Sequence, residues 1–155
     1  MTSLSPAQVL NPSLGRPVQI LLVEDSPSDV TMTLAALREG RICNAVHVVR
    51  DGDDAMAFLR HEPGMDGSPR PDLIILDLNL PKKDGREVLQ EVKADEELRS
   101  IPVVILTTST AEADIARSYD LHANSYITKP VGFEPFLEIV RGIEDFWLSV
   151  VRLPG

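Results

Sequence analysis

Apolar residues in this chain fall into short, nearly unbroken runs, each followed by a polar or turn-forming residue and then by a stretch of helical spacing. The runs cover 18–23, 45–49, 72–77, 102–107 and 125–128. Runs this short and this apolar predict strands buried on both faces, as a parallel sheet covered by helices requires. After the first run, Ser26-Pro27 offers an N-cap with proline at the first helical position, Val30, Leu34 and Leu37 follow at helical spacing, and Gly40 is placed to end the helix. Asp51-Gly52 opens a second helix carrying Ala55, Phe58 and Leu59, and Asp84-Gly85 a third built on Val88, Leu89 and Val92. Ser109 with Glu112 forms a capping box for a fourth, and a fifth runs over 132–150. Residues 62–71 hold three prolines and two glycines and read as a loop longer than a crossover needs. Five strands alternating with five helices predict an α/β fold with a doubly wound parallel sheet. The domain spans 18–150, with 1–17 read as a flexible N-terminal arm and 151–155 as a short tail.

Composition narrows the function classes. A length of 155 residues is one domain's worth, and 24 acidic against 15 basic residues give a net charge of −9. Such a surface is repelled by phosphate backbones and anionic lipid, which argues against direct nucleic-acid or membrane binding. Cys43 is the only cysteine, so there is neither a disulfide framework nor a thiolate metal site, and a cytoplasmic location is expected. No apolar run reaches the roughly 18 residues of a membrane span.

The chemistry sits where the strands end. The first strand runs into Glu24 and Asp25, the third into Asp77, the fourth into Thr107, and Lys129 follows the fifth. In an open α/β sheet all of these share the carboxyl edge, where ligands bind. Carboxylates crowded there repel one another, and a divalent cation such as Mg²⁺ or Mn²⁺ resolves the conflict because the donor set is all oxygen. A carboxylate, a hard cation, a hydroxyl and a lysine form a phosphoryl-transfer site with Asp77 as nucleophile. Taken singly, Asp77 could serve as a turn cap and Thr107 as a backbone hydrogen-bonding hydroxyl. The ordered set is what points to chemistry.

Leu22-Val23-Glu24-Asp25, Asp77-Leu78-Asn79-Leu80-Pro81, Asp84-Gly85, Leu106-Thr107 and Lys129-Pro130, together with the spacings between them, resemble the receiver domain of two-component response regulators. The resemblance spans about 18–150. It implies a flavodoxin-like fold with strand order 2-1-3-4-5, Asp77 as phosphoacceptor, and a sensor histidine kinase as partner. It further implies Asp25 as direct metal ligand, Glu24 acting through water, and Asn79 ligating through its backbone carbonyl. Thr107 matches the switch hydroxyl, Tyr126 the switch aromatic, Lys129 the phosphate-pairing lysine, and Lys129-Pro130 a cis peptide. Thr108 departs from the smaller residue common there. The Thr107-Thr108 pair, the 62–71 loop and Phe146-Trp147-Leu148 are similar to the single-domain regulators of bacterial and cyanobacterial phytochromes.

Two alternatives remain beside this one. A phosphatase of the haloacid dehalogenase type also uses a strand-end aspartate, but needs a second aspartate as general acid where this chain has Asn79. A phosphorylation-independent interaction module would have no use for the whole constellation. The regulator itself is not expected to be an enzyme beyond taking part in its own phosphorylation and dephosphorylation. Its output is expected to be protein–protein contact. On the last helix, Phe133, Leu137, Val140, Ile143, Trp147 and Val150 form one apolar stripe, with Ile139, Phe146, Leu148 and Val151 beside it. An apolar surface that wide predicts a homodimer using the fourth helix, fifth strand and last helix, with Phe146 and Trp147 on its face.

Overall fold

The computed structural model describes residues 17–40, 42–64, 67–107, 125–129 and 132–150, and gives no side-chain placement for 125, 126 and 146–150. Its strands are β1 (Val18–Val23), β2 (Asn44–Val49), β3 (Leu73–Asp77), β4 (Val103–Thr107) and β5 (Ser125–Thr128). The helices among the described residues are α1 (Pro27–Glu39), α2 (Gly52–Leu59), α3 (Gly85–Ala94) and α4 (Phe133–Val150). All neighbouring strands pair in parallel, in the order β2-β1-β3-β4-β5. This is the doubly wound, flavodoxin-like order expected. The helix expected from Ser109 falls in 108–124, and the terminal segments 1–16 and 151–155 likewise lie outside the described residues.

The unbroken apolar runs now have a physical reason. Successive strand residues point to opposite faces, so a sheet covered on both sides needs apolar residues at every position. Ile20, Leu22, Leu73, Ile75, Val104 and Leu106 share one core with Ala36 and Leu37 of α1 and Phe136, Val140 and Ile143 of α4. Leu21, Val23, Ile74, Leu76, Val103 and Ile105 share the other with α2 and α3, through Met56, Phe58, Val88, Leu89 and Val92.

One sequence expectation needs correction, and another holds for a different physical reason. Phe133 is 40% exposed, and Phe136 takes the buried place on α4 beside Val140 and Ile143. The stripe therefore begins three residues later, one helical turn nearer the sheet. Gly40 does close α1, but at φ −68° it is not in the left-handed conformation of a glycine cap. It is needed for space. A Cβ there would lie 2.5 Å from Oε2 of Glu144, a buried carboxylate on α4 that accepts the Ile42 N–H at 2.9 Å.

Candidate functional site

Register builds the site before any side chain does. Val23 of β1 pairs with Leu76 of β3, so the next residues, Glu24 and Asp77, stand side by side at the carboxyl edge. Asp77 pairs with Leu106 of β4, which puts Thr107 one step beyond it. The Lys129 N–H donates to the Thr107 carbonyl at 2.7 Å, extending the β4–β5 ladder so that Lys129 joins the same edge. Four separate segments thus deliver their polar residues to one place.

Local structure then fixes each group. Ser26 caps α1 by accepting the Asp29 N–H, and the Ser26 N–H in turn donates to Oε1 of Glu24 at 3.1 Å. Asp77 Oδ1 accepts the Asn79 N–H at 3.0 Å, a tight turn that holds the carboxylate at the strand end. Gly85 makes that turn possible. A Cβ on it would sit 2.3 Å from the Asp77 carbonyl oxygen and 2.7 Å from the Leu78 Cα, so the backbones approach as only glycine allows.

Glu24, Asp77 and Thr107 are buried, whereas Asp25 is exposed. Lys129 Nζ lies 2.5 Å from Glu24 Oε2, 2.9 Å from Asp29 Oδ2 and 3.1 Å from Asp77 Oδ2. Each ammonium proton therefore has a carboxylate. Burial pushes the Glu24 carboxyl up to about 7; Lys129 opposes this and the neighbouring Asp77 adds to it. Burial alone would lower the Lys129 ammonium, but its hydrogen bonds to Glu24 and Asp29 and the charge of Asp77 outweigh that and hold it firmly protonated.

Glu24, Asp25 and Asp77 each offer an oxygen within 4.8 Å of the others. An all-oxygen set with one exposed member suits a hard divalent cation that keeps several waters. The residues present therefore fit Mg²⁺ or Mn²⁺. Asp29 was missed in the sequence, because an acid in the first turn of a helix reads as a complement to the helix dipole. The Asn79 residue is exposed, next to the buried Asp77-Leu78 pair. Tyr126 pairs with Ile105 in the sheet, but its side chain, Thr108, Pro130 of the expected cis peptide, and the side chains of Phe146 and Trp147 lie outside the described residues. No helix among the described residues is long and apolar enough to cross a membrane.

Known proteins resemble this chain in sequence and fold. Response regulator Rcp1 of Synechocystis sp. is 51% identical over 139 residues, covering 90% of this chain and 95% of Rcp1. The crystal structure of the phosphorylated cyanobacterial phytochrome response regulator RcpA superposes with a TM-score of 0.81 at 52% identity, covering 90% of this chain and all of that one. The Mn²⁺-bound form of Rcp1 superposes at 0.79 with 50% identity over the same shares. The response regulator receiver domain family matches residues 20–141, and this chain belongs to it.

Proposed function

We propose that this chain is a cytoplasmic response regulator that takes a phosphoryl group onto Asp77 from a sensor histidine kinase of the phytochrome class. The observation that carries this is the Asp77 carboxylate, buried at the end of β3 beside Glu24 and Asp25, with the Lys129 ammonium 3.1 Å away. An Asp77 oxygen attacks the phosphorus of the kinase phosphohistidine. The new O–P bond forms as the P–N bond breaks, and that electron pair returns to the imidazole nitrogen, which takes up a proton. Lys129 pairs with one phosphoryl oxygen and the Thr107 hydroxyl donates to another. Asp25, Asp77 and the Asn79 carbonyl would hold a divalent cation, with Glu24 assisting through water. When bound, that cation neutralises charge on the transferred group. The phytochrome pairing rests on the likeness to RcpA and Rcp1 across nearly their whole length.

Transfer of radiolabelled phosphate from a phosphorylated phytochrome kinase tests this reading. The wild-type chain should gain a hydroxylamine-sensitive label that Asp77→Asn lacks entirely. A label that survives Asp77→Asn would overturn the assignment, and an unlabelled wild type would favour the phosphorylation-independent module.

The signal then leaves through protein–protein contact. We read residues 18–150 as the signalling unit and place a homodimer on the face formed by β5 and α4 with the segment between β4 and β5. Exposed Phe133 and the apolar residues 146–148 support it. Phosphorylation would draw in Thr107, and Tyr126 would follow. Sedimentation equilibrium should show a weaker dimer for Trp147→Ala; an unchanged dimer would contradict the proposed face.

A further inference from the structure

The resting site has a problem that its own residues must solve. Glu24 and Asp77 each use both carboxylate oxygens: Oε1 accepts the Ser26 N–H and Oδ1 the Asn79 N–H, while Oε2 and Oδ2 both hold the Lys129 ammonium. The two backbone donors are fixed by the α1 cap and the turn after β3. Only Lys129 can yield room. It therefore occupies, as an internal counter-ion, the Asp77 oxygen an entering divalent cation would claim and the Glu24 oxygen that would face the cation's water, and two cations that close repel each other strongly.

Asp29 is placed to receive it. Its Oδ2 already holds the ammonium at 2.9 Å, yet Asp29 is not part of the Glu24–Asp25–Asp77 oxygen cluster. Its own position is secured within the helix. Its N–H donates to Ser26 Oγ at 3.4 Å, and its carbonyl accepts the Thr33 hydroxyl at 2.7 Å. Its side chain is 28% exposed, against 7% for Lys129, so an ammonium moving onto Asp29 moves outward from the buried pair.

We infer that Asp29 is a positioning residue, the station to which the Lys129 ammonium withdraws when a divalent cation enters between Glu24, Asp25 and Asp77. The inference rests on the metal site proposed above. Asp29 keeps Lys129 at the edge of the site, near enough to pair with an incoming phosphoryl group. Without it, the ammonium stays on Glu24 and Asp77 and competes with the cation for their oxygens.

Mn²⁺ binding to the intact chain, followed by the paramagnetic resonance of free Mn²⁺, tests this in a double-mutant cycle. Asp29→Asn removes a charge near the metal in any background, so the informative quantity is the difference between backgrounds. The loss of affinity from Asp29→Asn should be about fivefold larger with Lys129 present than in Lys129→Met, the scale of one partly exposed ion pair. Equal losses in the two backgrounds would overturn the inference and leave the metal site standing. Binding that survives Asp25→Asn would overturn the site reading and this inference together. Should Lys129→Met fail to fold, the nitrogen resonance of the Lys129 ammonium decides the matter. At saturating Mg²⁺, which displaces the ammonium from Glu24 and Asp77, its protons should stay protected on Asp29 in wild type and exchange rapidly in Asp29→Asn, where no carboxylate receives it. Equal protection in both would overturn the inference.

Discussion

Glu24 and Glu144 are both nearly buried, at 2% and 6% exposed, yet they lie at opposite edges of the sheet and are used in opposite ways. Glu144 reaches from α4 to the N-terminal edge, where its carboxylate accepts the Ile42 N–H and fills the space left by Gly40. It settles a backbone group that the turn after α1 would otherwise bury without a partner. Glu24, at the carboxyl edge, shares a single ammonium with Asp29 and Asp77, and Asp25 stands close by. Burial lifts its carboxyl to about 7. One carboxylate completes the fold, and the other is held in a conflict that a cation can relieve. Crowded like charge at a ligand edge, compared with a buried carboxylate that serves the backbone, is what separates site from scaffold.

The contrast is broken most forcefully at Glu144. Glu144→Ala removes the acceptor of the Ile42 N–H and opens a void beside Gly40, which should cost about 2–3 kcal/mol. Urea denaturation at pH 7 should show that loss, while the phosphoryl label on Asp77 persists in the folded fraction. A variant as stable as wild type would mean that the Glu144 contact is incidental and that the two glutamates do not differ in kind.

How much of this could be read from the residues follows from where the physics is local. The strands were legible because burial on both faces demands unbroken apolar runs. The strand order followed from family resemblance. Glu24, Asp25, Asp77, Thr107 and Lys129 were legible because each comes directly after or at the end of such a run. Asp29 was not, since Ser26-Pro27-Ser28-Asp29 already has a sufficient local explanation as a helix start, and its ion pair with Lys129 spans most of the chain. The roles of Gly40 and Gly85 were hidden for the same reason. Each is set by a contact from another segment, Glu144 for one and the Asp77 backbone for the other. Phe136 was passed over for Phe133 because both stand at helical spacing within the stripe, Phe133 with Leu137 and Val140 and Phe136 with Val140 and Ile143, so periodicity alone does not choose between them.

Acidity offers the finest probe of the Glu24 half of the comparison. The folded-state value of about 7 stands above the ordinary 4.5, so between those values the folded chain holds a proton that the unfolded chain has released. The stability this supplies is complete below pH 4.5 and is lost as pH rises through about 7. From pH 5.5 to 7.5 the decline should be roughly 1–2 kcal/mol in the absence of divalent cation. Mg²⁺ competes with that proton, so it should stabilise the chain more at pH 7.5 than at pH 5.5 and flatten the slope. Thermal melts with Mg²⁺ or with chelator at the two pH values check both signs. Glu24→Gln should abolish this part of the slope, because the amide does not titrate, whereas Glu144→Ala should keep it. A slope unchanged by Glu24→Gln would place the strained proton elsewhere and remove the electrostatic distinction between the two edges.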